Sequence, residues 1–131
     1  MYEWEQNYFL EHFVHGHLGR EAQEHAEAHA ALAALRHRLA QLPRCLVHRD
    51  FQSQNVLMRR GEAWLVDYQG LRPGLGEYDL ASLLFDPYVV LSRSERHDLL
   101  SYYAELRGLN LAELRDVFYL CAAQRLMQAL G

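Results

Sequence analysis

The sequence predicts an α+β fold in which helices dominate, and three observations carry that reading. Apolar residues recur at three- and four-residue spacing over long stretches on both sides of the chain's centre, as in amphipathic helices. Between those stretches lie three short apolar runs, at residues 45–47, 56–58 and 63–66, bounded by polar or glycine-bearing segments; these read as strands. No internal repeat or low-complexity linker interrupts the 131 residues, so a single domain spanning residues 1–131 is expected, with helices set apart from a small β element.

Residues 2–14 carry Trp4, Tyr8, Phe9 and Phe13 at helical spacing, and Gly16 and Gly19 are expected to close that helix. His12, His15 and His17 cluster near its end, where imidazoles favour the helix dipole while lying in solvent, so a metal site is not inferred. Residues 21–41 place Ala28, Leu32, Leu35, Leu39 and Leu42 on one stripe, and Pro43 stops the helix. The stripe spans only about two heptads, so it reads as a packing face rather than a coiled-coil seam. His25 and His29 flank Glu27, but a zinc-protease motif needs the Glu directly after the first His, so this is a polar face.

Beyond the centre, Pro73, Gly74 and Gly76 mark residues 71–77 as a loop, and residues 77–84 begin a helix in which Asp79 could serve as an N-terminal cap. Asp86-Pro87 breaks it. Ser92 and Glu95 have capping-box spacing for a helix to Arg107, closed by Gly108, and Asn110 with Glu113 opens a last helix through Leu130. Tyr102 and Tyr103 read as core or rim.

Composition narrows the function. The net charge of −4, with no cluster of basic residues, argues against a nucleic-acid backbone binder. All thirteen basic residues are arginine. No apolar run approaches the roughly 18 residues that span a bilayer, and no charged-then-apolar leader is present, so a soluble, cytoplasmic protein is expected. Cys45 and Cys121 both sit in apolar settings and are expected to be buried free thiols.

The central stretch, CLVHRDFQSQNVLMRRGEAWLVDYQG, carries the chemistry. Asp50 follows the first apolar run, Asn55 precedes the second and Asp67 follows the third. A hairpin turning at residues 59–62 can therefore gather all three at its open end. His48-Arg49-Asp50 followed by Asn55 fits the H-x-D-x-x-x-x-N catalytic loop of kinases, and Asp67-Tyr68-Gln69-Gly70 takes the place of their metal-binding D-F-G. Taken singly, the same residues could cap a turn, close an Asx-turn and end a strand.

LVHRDFQSQNVLM followed by WLVDYQGLRPGLGEYDLASLLFDPY resembles the aminoglycoside phosphotransferase/choline kinase superfamily, nearest to its bacterial kinases of cell-wall amino sugars. The resemblance is strongest over residues 46–88. It implies the C-terminal lobe of a protein-kinase-like fold, with a small β-hairpin carrying the active site. Asp50 would be the catalytic base, and Asn55 and Asp67 the Mg2+ ligands. ATP would be the donor, and a hydroxyl of a sugar-like molecule the acceptor. His48 and Asp79 would support the site, Asp79 by bracing the catalytic loop; that role is compatible with a helix cap. The superfamily often has a small residue where Arg49 stands. Glu77, Asp86 and Tyr88 are close enough in sequence to contact an acceptor, whose identity the sequence does not give.

The N-terminal nucleotide lobe, with its phosphate loop and strand Lys, is absent. The chain is accordingly expected to be part of a longer kinase that binds ATP poorly alone. The alternative is a non-catalytic binding or regulatory module that kept the lobe.

Overall fold

The computed structural model describes residues 2–20 and 26–131, and these form two compact units. The first contains the described residues up to Leu42 together with Ala123–Gly131, and the second is Pro43–Ala122.

In the first unit, α1 (Tyr2–Tyr8) runs on as a π-helical stretch, Phe9–His17. Its wider i→i−5 bonding persists at the end, where the Leu18 amide donates to the Phe13 carbonyl at 2.9 Å. Phe9 stacks on Phe13 at 5.4 Å and Phe13 on His17 at 5.5 Å, so the aromatic column continues past Gly16. Gly16 therefore does not end the helix; Gly19, at φ +64°, does. Helix α2 (Ala26–Ala40) follows, and the start expected at residues 21–25, His25 included, lies outside the described residues. Leu39 is fully buried, and Ala28, Leu32, Leu35 and Leu42 are half-buried, which bears out the stripe. His12, His15, His17 and His29 are exposed.

The interior of this unit is also polar. Gln6 donates to the Gln124 side-chain oxygen at 2.8 Å, and Gln124 donates to Glu5 at 2.8 Å. Arg36 donates to the Gln6 oxygen at 2.5 Å. Both glutamines are wholly buried, so these bonds are what make their burial tolerable.

The second unit holds the β structure. Strand β1 (Cys45–Val47) and β4 (Arg72–Gly74) pair antiparallel with Cys45 opposite Gly74 and Val47 opposite Arg72. The segment read as a loop at residues 71–77 thus contains a strand. Pro73 hides it in the sequence, and an unpaired edge is where a strand proline is tolerated. Gly74 is needed there, since a β-carbon would come within 2.5 Å of the Val47 side chain. Strands β2 (Val56–Arg59) and β3 (Glu62–Leu65) form the expected hairpin. Arg60 at φ +53° and Gly61 at φ +81° give it a two-residue turn of the twist that matches paired strands.

Three helices complete the unit, α5 extending beyond it: α3 (Gly76–Leu84), α4 (Arg93–Arg107) and α5 (Leu111–Leu130). The Ser92–Glu95 capping box forms in both directions, and Gly108 closes α4 at φ +62°. The Asn110 side chain accepts from the amides of Ala112 and Glu113 at the start of α5. Leu75, Tyr78, Ala81, Leu100 and Phe118 are among the buried apolar residues. Among the described residues no helix is long and apolar enough to cross a membrane.

Candidate active site

The chain leaves β1 at Val47 and enters the polar segment that begins with His48. A strand end leaves amides without ladder partners, and here Asp79 of α3 takes two of them. His48 N–H donates to Asp79 Oδ2 at 2.6 Å, and Arg49 N–H donates to Oδ1 at 2.8 Å. Asp79 is not the helix cap. Helix α3 begins at Gly76, with Leu75 in the cap position and no side-chain cap bond. Burial raises the Asp79 pKa above its ordinary value, while the two amide bonds pull it down. Arg49 holds φ +75°, a conformation that favours glycine and that a non-glycine residue keeps only where its surroundings enforce it.

His48 is buried. Its Nε2–H donates to the Val66 carbonyl at 2.9 Å, which leaves Nδ1 as the acceptor nitrogen, without a partner among the described residues. Val66 is bonded on both sides, because its N–H donates to the Asn55 carbonyl at 3.0 Å. One residue thus joins the loop after β1 to the start of the hairpin, immediately before Asp67. The Asn55 side-chain nitrogen donates to the Asp50 carbonyl at 2.8 Å and lies 3.5 Å from its carboxylate oxygen Oδ2. With the amide nitrogen engaged, the amide oxygen of Asn55 is the atom left for another partner.

Asp67 sits in the left-handed region at φ +62°, which aspartate tolerates better than most residues. Its Oδ1 accepts a hydrogen bond from Gln69. Asp50 and Asp67 are exposed, while Asn55 is buried. Asp50 and Asn55 are therefore in contact, and Asp67 is tied to both through the backbone at Val66.

The acceptor candidates separate. Asp86 is buried and accepts from Ser53 N–H at 2.5 Å and Tyr88 N–H at 2.8 Å, so it anchors the loop before Asn55 rather than facing a ligand. Tyr88 is exposed and Glu77 half-buried in the first turn of α3. Tyr102 and Tyr103 line an apolar cavity of about 680 Å³ that His48 and Asp79 also border; Asp50, Asn55 and Asp67 do not line it. Nothing in the sequence marks Gln69 as the side chain that donates to Asp67.

The expectation of two buried thiols is corrected at Cys45. Only Val47 of β1 is buried, because a three-residue strand in a two-stranded sheet covers one position, and Cys45 is exposed. Cys121 is buried on α5, and desolvation pushes its thiol up to about 12.

A carboxylate, an amide oxygen and a second carboxylate thus lie at the mouth of a hairpin, on a loop clipped by a helix aspartate. Residues 2–116 match the phosphotransferase enzyme family, and the chain belongs to that family. It is similar to the N-acetylmuramate/N-acetylglucosamine kinase of Neisseria meningitidis serogroup B (strain ATCC BAA-335 / MC58), with 36% identity over 119 residues. That alignment covers 86% of this chain and 35% of the relative, so the chain spans about a third of the relative's length.

Proposed function

We propose that this chain is the C-terminal, catalytic-loop lobe of an ATP- and Mg2+-dependent phosphotransferase acting on a hydroxyl of a sugar or amino sugar. The observation that carries the reading is the junction at Val66, which holds Asn55 and the residue before Asp67 together while Asn55 reaches Asp50. In this reading Asp50 orients the acceptor hydroxyl and takes its proton, and its exposure leaves it open to an incoming acceptor. His48 and Asp79 fix the backbone that carries Asp50, so they are positioning residues.

The donor set fits magnesium. A hard cation prefers oxygen ligands, and Asn55 Oδ1 with the Asp67 carboxylate would supply two. Bound there, Mg2+ would neutralise charge on the donor's phosphates. Nucleotide phosphates and water would complete the shell around the cation. The nucleotide-covering lobe is assigned to other residues of the same protein; the relative's greater length supports this. The sugar-like acceptor rests on the relative's name, and the cytoplasm on the use of ATP.

The test is phosphotransfer by the complete protein that carries this chain, with Mg-ATP and a panel of free amino sugars, aminoglycosides and choline. Asp50→Asn is expected to lower kcat by about 10²–10⁴-fold on the preferred acceptor, with little change in the KM for ATP. A variant that keeps the full rate would remove Asp50 as the base.

A further inference from the structure

The second unit contains a small basic hollow that the phosphotransfer site does not use. It measures about 100 Å³ and is bordered by Arg93, Arg96 and His97 of α4 and Arg115 and Tyr119 of α5, over the rings of Phe85 and Phe118. No Asp or Glu borders it. We propose that this hollow is an anion site for the phosphate group of a small phosphomonoester or for free phosphate.

Helix stability does not account for this arrangement. Arg93, Arg96 and His97 stand at i, i+3 and i+4 of α4, so basic groups share one face where opposite charges would stabilise. Arg93 lies at the helix N-terminus, where the dipole disfavours a cation. Arg115 has Leu111, Ala112, Phe118 and Tyr119 three and four residues away, and no carboxylate among them. Arg93 and Arg115 make no hydrogen bond or ion pair with any described residue. The nearby Glu95 is committed to the cap, accepting from Ser92 N–H at 2.7 Å.

Three guanidinium groups thus border one hollow in a chain whose net charge is −4; no carboxylate lines it, and Glu95, on which Arg96 acts electrostatically, is held at the helix cap. Arg96 is already held in place, donating to the Leu91 carbonyl at 2.5 Å with its guanidinium 5.1 Å over the Phe85 ring. The volume is well below the roughly 300–1,000 Å³ of sites that enclose a whole small molecule, and suits a single tetrahedral head group. A phosphate monoester brings close to two negative charges and three acceptor oxygens, which match several forked donors better than one carboxylate does.

The experiment follows backbone amide shifts of the intact chain during titration with inorganic phosphate, then with glucose 1-phosphate, against sodium chloride at matched ionic strength. A saturable response at residues 93–97 and 115–119 is expected. Tighter binding of glucose 1-phosphate than of inorganic phosphate would assign the site to the ester, and equal or weaker binding to the free ion. Arg93→Gln with Arg115→Gln is expected to weaken the affinity about tenfold or more, since charge-assisted bonds are lost. Both residues are exposed, so the fold should persist, as an unchanged amide spectrum away from the hollow would verify. Arg59→Gln, which removes an exposed arginine elsewhere, should leave binding unchanged. A response no larger than that to chloride, persistence in the double variant, or equal loss in Arg59→Gln would each overturn the proposal.

Discussion

At the residue scale, Asp79 accepts the amides of both His48 and Arg49 while its own carboxylate is partly desolvated. Its folded pKa lies above the 3.8 of an ordinary aspartate. The folded state therefore holds the proton more tightly than the unfolded state does. This contribution to stability is fully present below the ordinary value and is lost as pH rises through the raised one. In Asp79→Asn that titration disappears, so stability should fall less steeply as pH rises from about 4 than in the parent. The two N–H groups meet different carboxylate oxygens, and in asparagine one of these becomes an NH2 donor facing an N–H, so the variant should also be weaker by about 1–3 kcal/mol at neutral pH. Urea unfolding across this pH range checks both; an unchanged slope would show that Asp79 is not the titrating group. The sequence offered Asp79 as cap or brace, and only the placement of β1 beside α3 decides between them. Asp86 was legible as a polar residue near the site. Its burial against Ser53 and Tyr88 depends on a long-range approach that no local pattern records.

At the element scale, periodicity and caps spoke clearly. The α4 boundaries were readable because Ser92, Glu95 and Gly108 act within one turn of themselves, and the hairpin because Arg60-Gly61 sets its own geometry. Strand burial was not readable. Leu57, Met58, Trp64 and Leu65 are apolar yet exposed, because strand side chains project from the faces of the sheet and pairing with one neighbour covers neither face. The same cause exposes Cys45, while Cys121 lies on a buried face of α5 with its thiol pushed up to about 12. A thiol reagent at neutral pH should therefore label one cysteine per native chain, at Cys45, and the second only on unfolding. Peptide mapping after alkylation reads this directly; labelling of Cys121 in the native protein would contradict the burial.

At the scale of the whole molecule, the family was legible because the residues that carry the resemblance are close in sequence, 48–55 and 67, and keep their spacing with them. The polar interior of the first unit was not, since Glu5 and Gln6 meet Gln124 across more than a hundred residues. In the proposed function, Asn55 and Asp67 supply oxygen ligands to one divalent cation beside Asp50. Manganese, which shares magnesium's preference for oxygen and broadens nearby resonances, tests it on this chain without a nucleotide or an acceptor. Titrated into the isotope-labelled protein, Mn2+ should first broaden the amides around Asn55, Val66 and Asp67, and Asp67→Ala should abolish that effect. Broadening centred on His12–His17, or undiminished at Asn55 in the variant, would contradict the assignment.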